Sequence, residues 1–337
     1  MDRIRVLQAD GLDASRYGGD PVTPDVPWSP GRLWDLTPYE DGYAVLDALT
    51  QELVWISGDL TAWETWATDG PGPGELAEPQ ALVTADAGSG DLLVLQGRPP
   101  AVHRFGGGGK FGNTFRLNSR ARDIGVTADG RIWLTHDIWA AELQSRGDAQ
   151  MPLLISTTDD GRETREDWSA TGDSLDAPRY NVPSLVEVRI ASRGRFVAVY
   201  FPLSGIIELF DDGVHARTLE TCMPDELREA YRRQLRDIEG VPPPGSVEVV
   251  NFVRLLADVR VGDGGEVWAL AGAPTDEGFL HIDRFDASGR NAGSILFAPG
   301  GSPWPVELRF GLDPERTIIE FDGYEGHIVI YQLSGSR

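Results

Sequence analysis

Cysteine is almost missing: Cys222 stands alone among 337 residues, so no intrachain disulfide can close and no thiolate metal cluster can assemble. Lysine is equally scarce, with Lys110 the only one, and arginine carries the rest of the positive charge. No stretch approaches the roughly 18 uninterrupted apolar residues of a membrane-spanning helix, and the opening MDRIRVLQADG lacks the apolar segment of a secretion signal. As written, the chain reads as soluble and cytoplasmic, or as periplasmic or secreted if a leader was removed. Positive charge is also in deficit. Thirty basic against 53 acidic residues leave a formal charge of -23, which repels phosphate backbones and anionic headgroups and speaks against nucleic-acid partners and membrane insertion.

Glycine, proline and tryptophan are plentiful, at 40, 23 and 10 residues, within a 41% hydrophobic composition. That mixture suits many short strands joined by tight turns, an all-β chain. One unit recurs: a strand, a tight turn and a second strand. It is clearest at Arg122 to Asp137 (RDIGVTADGRIWLTHD), Ala257 to Gly272 (ADVRVGDGGEVWALAG) and Val186 to Phe201 (VEVRIASRGRFVAVYF). Weaker copies begin at Trp34, Gln80 and Val306, and each hairpin is followed by a third strand and a more polar fourth. Six four-stranded units describe a six-bladed β-propeller occupying residues 1–337 as one domain. The last unit stops after its third strand, while an orphan strand, RIRVLQA (Arg3 to Ala9), opens the chain; it is expected to complete that unit and close the ring. PDELREAYRRQLRDI (Pro224 to Ile238) has helical spacing and is bounded by Gly240 and a proline run, so a helical insertion is expected at about residues 223–240, covering an edge or acting as a lid.

GPGPGELAEPQAL (Gly70 to Leu82), followed by the GDLLVL strand, resembles the linker and opening of an NHL-type repeat, and the whole layout is similar to bacterial six-bladed β-propellers. The resemblance implies fold more than activity, since Gln96 and Gly97 stand where that family often has Asp and Asn.

In a propeller the first strand of each blade surrounds the central channel. Alignment of the six copies on their turns places Asp35, Asp123, Glu187, Asp258 and Glu307 at one position, with Ala81 in the second blade; Arg189, Arg260 and Arg309 follow two residues later, on the same face. A ring of carboxylates raises its own pKa values and needs compensation, either from the arginines or from a bound cation. An all-oxygen ring suits calcium, which makes the five acids candidate metal ligands.

Counting back from the Asp129-Gly130 turn pairs Asp123 with His136 and Arg122 with Asp137, so His136 with Asp123 is a candidate general base at the channel mouth. Gln96 and Tyr200 fall at equivalent positions, and Asn181 and Asn251 precede two inner strands; with Asp35, Glu187, Asp258, Glu307, Arg122 and Asp137 they make up the candidate ligand-binding set. Two functions follow. One is a binding module whose acidic channel mouth takes a small cationic or polyhydroxylated molecule or a peptide. The alternative is a calcium-dependent hydrolase or lyase of the lactonase-like propeller type. Oligomeric state is open.

Overall fold

A computed structural model describes residues 4–13, 33–47, 49–85, 90–118, 120–136, 151–158, 164–170, 188–202, 205–221, 229, 255–272, 280–298, 307–311, 317–322 and 327–334. After β1 (Ile4–Asp13), blade one is built from β2 (Leu33–Tyr39), β3 (Gly42–Asp47), β4 (Glu52–Ser57) and β5 (Trp63–Ala67). Blade two has β6 (Pro79–Thr84), β7 (Leu92–Gln96), β8 (Ala101–Gly106) and β9 (Lys110–Arg116). Blade three has β10 (Ala121–Val126), β11 (Ile132–His136), β12 (Met151–Thr157) and β13 (Thr164–Ala170). Blade four has β14 (Arg189–Arg193), β15 (Phe196–Phe201), β16 (Ile206–Asp211) and β17 (Val214–Glu220). Blade five has β18 (Leu256–Val261), β19 (Val267–Ala271), β20 (Leu280–Phe285) and β21 (Asn291–Ala298); blade six has β22 (Glu307–Phe310), β23 (Thr317–Asp322) and β24 (His327–Ser334). Neighbouring strands within each blade are antiparallel and consecutive, and the chain is a six-bladed β-propeller.

The apolar runs of the sequence become the second strands. β7 and β15 are buried at every position, because each is flanked by two strands of its own blade and covered on both faces by its neighbours. The outer strands β9 and β17 are exposed at most positions, which accounts for their polar composition. Hydrophobic clusters fill the spaces between blades. Phe196 and Leu209 of blade four meet Val259 and Val267 of blade five, and Leu36 and Val45 of blade one meet Ile319 and Ile330 of blade six. That second cluster joins the last blade to the first and makes the arrangement circular.

The N-terminal strand closes the ring, though further along than Arg3 to Ala9. Residues 8–13 pair antiparallel with β24, while residues 4–8 pair parallel with β21 of blade five, so one strand ties two blades together. The Gly-Pro-Gly-Glu linker forms a closed turn: the Glu75 carboxylate accepts the Gly72 N–H at 2.6 Å, and Gly70 N–H donates to the carbonyl of the buried Leu76 at 3.1 Å. The expected helical insertion lies outside the described residues except for Glu229, which is helical.

Inner-strand register departs from simple alternation. Blades one, two, three and five each carry one extra residue near the start of the hairpin, at Trp34, Gln80, Arg122 and Ala257, opposite a single residue of the second strand. These are β-bulges, which interrupt the ladder locally and rotate the next side chain.

Candidate functional site

An inner strand has no neighbour on its axial side, so its N–H groups there need acceptors other than a strand. Three aspartates supply them. Asp35 accepts from its own chain neighbour Leu36 at 3.0 Å and from Leu82 of blade two at 3.0 Å. Asp123 accepts from Ile124 at 2.8 Å and from Ile190 of blade four at 2.9 Å. Asp258 accepts from Val259 at 2.9 Å and from Phe310 of blade six at 2.8 Å. Each carboxylate uses both oxygens and staples an odd-numbered blade to the next even one.

These bonds define the true equivalents. The residues before the six donors are Asp35, Ala81, Asp123, Arg189, Asp258 and Arg309, so the expected ring of five acids is corrected to alternating aspartates with alanine or arginine between them. Glu307 stands two residues before the ring position and opposite Phe321. Glu187 lies outside the described residues. The misalignment has a physical cause. Gly194 opens a two-residue turn (residues 194–195), whereas Gly130 is the fourth residue of a five-residue one (residues 127–131), so matching the glycines shifts blade four by two positions.

The bulge at Arg122 corrects the expected His–Asp pair as well. Thr135 stands opposite Asp123, and His136 stands opposite Ala121. Arg122 is exposed and does not line the axial cavity described below. Gln96 is buried inside blade two, accepting from Ala77 N–H at 2.9 Å, donating to the Pro99 carbonyl at 2.9 Å and meeting His103 at 3.0 Å. Asp137, Asn181 and Asn251 lie outside the described residues.

The axis holds a cavity of about 370 Å³. Its floor is the ring, and its walls are the later residues of the inner strands, among them Thr37, Thr84, Ser192, Arg193 and Asp263. It therefore lies on the hairpin side of the ring and not at the strand-entry mouth expected from the sequence. Of the expected ligand-binding residues, Asp35, Tyr200 and Asp258 line it together with Asp123. Arg193, Arg260, Asp263 and Trp268 were not among those candidates; Arg260 and Arg309 were visible in sequence only as partners of acids.

Charge in the cavity is balanced and tightly held. Arg309 Nε lies 3.8 Å from Asp35 Oδ1, joining blade six to blade one, and its Nη1 donates to the carbonyls of Ala257 at 3.2 Å and Leu308 at 3.0 Å. Arg260 donates from Nη2 to the Phe310 carbonyl at 3.2 Å. Burial pushes the Asp123 carboxyl up to about 6, with the positive charge of Arg189 opposing and the negative charge of Asp35 reinforcing the shift. Burial likewise raises Asp35, against Arg309 and Arg189. The Tyr200 hydroxyl is held well above its ordinary range by burial and by Asp258. It is a neutral donor at the cavity floor.

A calcium ion does not fit the described ring. Arginines stand between the carboxylates, whose oxygens already serve backbone N–H groups, and among the described residues no three His, Cys, Asp or Glu side chains converge as a metal site.

No protein-family model matches the chain, and no curated protein matches its sequence. Solved structures match its shape. One is a Bacteroides fragilis protein assigned as exported, with TM-score 0.58, 10% identity and coverage of 98% of this chain and 100% of that one. Another is regucalcin from Agrobacterium tumefaciens, a calcium-binding protein, with TM-score 0.51, 10% identity and coverage of 98% and 97%. Virginiamycin B lyase from Staphylococcus aureus follows at TM-score 0.50 and 12% identity, covering 97% and 99%. At such identities the likeness concerns the fold. Among the described residues no helix is long and apolar enough to cross a membrane.

Proposed function

We propose that this propeller is a ligand-binding module whose site is the axial cavity, and that its ligand is a small polyhydroxylated molecule. The observation that carries the reading is the cavity itself: about 370 Å³ on the axis, floored by buried aspartates, arginines and the Tyr200 hydroxyl. Such a volume with a few fixed polar groups suits a small molecule better than a peptide chain. A purely cationic ligand is disfavoured by the arginines beside every carboxylate. Ser192 Oγ accepts the Val126 N–H at 2.8 Å and Thr84 Oγ1 donates to the Pro38 carbonyl at 2.7 Å, so both hydroxyls serve the seams between blades and neither is paired with a general base.

The test is a thermal-shift screen of sugars, sugar acids and amino sugars against the wild type and against Ala191→Phe, which fills the cavity from the β14 wall. Stabilisation of the wild type alone is expected. Equal shifts in both proteins would move the site elsewhere. The calcium-dependent alternative is tested in the same assay by chelation: an unchanged melting temperature agrees with the binding module, and a large fall restored by calcium would revive the hydrolase or lyase reading.

A further inference from the structure

We propose that the ligand of this cavity is a zwitterion with its charges at opposite ends, an ammonium against Asp35 and Asp123 and a carboxylate against Arg193 and Arg260. The inference rests on the binding reading above and names the charges of its ligand. Charge around the cavity is balanced in total but divided by side. Among the described residues, blades one to three line it with two carboxylates, Asp35 and Asp123, and with no base. Blades four to six line it with four guanidiniums, Arg189, Arg193, Arg260 and Arg309, against the carboxylates of Asp258 and Asp263. Blade two causes the division. At the ring position it carries Ala81, where blades four and six carry Arg189 and Arg309, so no base stands in the ring between Asp35 and Asp123.

Both sides keep surface that a ligand can meet. The Asp35 side chain is 10% exposed, and those of Arg260 and Arg193 are 29% and 48% exposed. The two staple hydrogen bonds of Asp35, and likewise those of Asp123, use only part of the roughly four lone-pair sites on each carboxylate, which leaves acceptors for an ammonium. Burial raises both carboxyls and Asp35 adds to the rise of Asp123, so a cation beside them relieves a repulsion. A ligand charge that loses its water in a confined site is held only where an opposite charge meets it. A zwitterion meets both sides and leaves the cavity neutral overall. A monoanion leaves the carboxylate side uncompensated, and a monocation leaves the arginine side so. Blades one to three face blades four to six across the axis, so the two ligand charges must stand apart. An α-amino acid, with both groups on one carbon, serves only one side.

The experiment is calorimetric titration of the full chain with four molecules of one frame: 6-amino-6-deoxygluconate, gluconate, 1-amino-1-deoxyglucitol and glucitol. The first, the zwitterion, is expected to bind at least about tenfold more tightly than either singly charged molecule. Its advantage over gluconate measures the ammonium, and Asp123→Asn should cut that advantage to about threefold or less. Its advantage over the amine measures the carboxylate, and Arg193→Gln should cut that one by a similar factor. Each substitution should leave the other advantage standing. Val83→Lys, which puts a base on the blade-two wall of the cavity, and Arg260→Gln are second readouts of the same two ends. Gluconate or the amine binding as tightly as the zwitterion would overturn the inference and leave the binding module standing. Advantages that survive all four substitutions, or that fall together in each of them, would overturn the division of charge by side. Absence of heat with all four molecules would overturn the inference and count against the binding module together.

Discussion

Asp258 makes plain why an inner strand carries acids: its two oxygens serve the backbone of two blades. Asp258→Ala strands the buried N–H groups of Val259 and Phe310, at a cost of about 2–5 kcal/mol, read as a lower urea midpoint. Arg122→Ala, at an exposed bulge, is expected to stay within about 0.5 kcal/mol; equal losses in the two variants would remove the staple as an explanation. Asp123 adds a dependence on pH. Its carboxyl titrates at about 6 in the folded chain against 3.8 ordinarily, so between those values the native state holds more protons than the unfolded state. The stabilisation from this raised group is full below about pH 4 and is lost as pH rises through about 6, with Asp35 moving in the same direction. The difference in unfolding free energy between wild type and Asp123→Asn, taken from urea titrations, should therefore shrink across that window, by an amount on the order of 1–3 kcal/mol. A constant difference would mean that the carboxyl does not titrate there.

Between elements, turn geometry governs both stability and what could be read in advance. Gly108 and Gly109 both have positive φ, at 65° and 70°, yet a Cβ at Gly108 would meet open space, whereas one at Gly109 would come within 2.1 Å of the Trp66 ring. Gly108→Ala should cost about 1 kcal/mol for backbone strain alone. Gly109→Ala should cost clearly more, because Trp66 is itself packed at 5.3 Å from Tyr39 and 6.4 Å from Trp55; thermal melting of the two variants separates the effects. The hairpins themselves were readable, since glycine-bearing turns between apolar runs mark them directly. Their register was not. A bulge at Arg122 and a two-residue turn at Gly194 leave no mark in composition, because almost any residue can occupy a bulge and glycine serves several turn types. For that reason alignment of the sequence sets Glu187 at the ring position that Arg189 occupies, and His136 opposite Asp123.

For the whole molecule, β1 is the clasp. Deletion of residues 1–9 removes all of its pairing with β21 but leaves positions 10–13 against β24, and deletion of residues 1–13 removes both. The fall in melting temperature should be graded across the two truncations, and unchanged melting of the longer one would refute closure by this strand. The number of blades, their strand order and the need for a closing strand follow from the sequence alone, because each repeat shows an apolar second strand and the last repeat lacks a fourth. Recurrent acids on the inner strands were equally evident as a pattern. What they do was decided by tertiary structure: only when six inner edges converge do their N–H groups require acceptors from the side chains of neighbouring blades. The cavity and the division of its charge between two sides belong to the same level, since they arise from the packing of separate repeats and no single repeat encodes them.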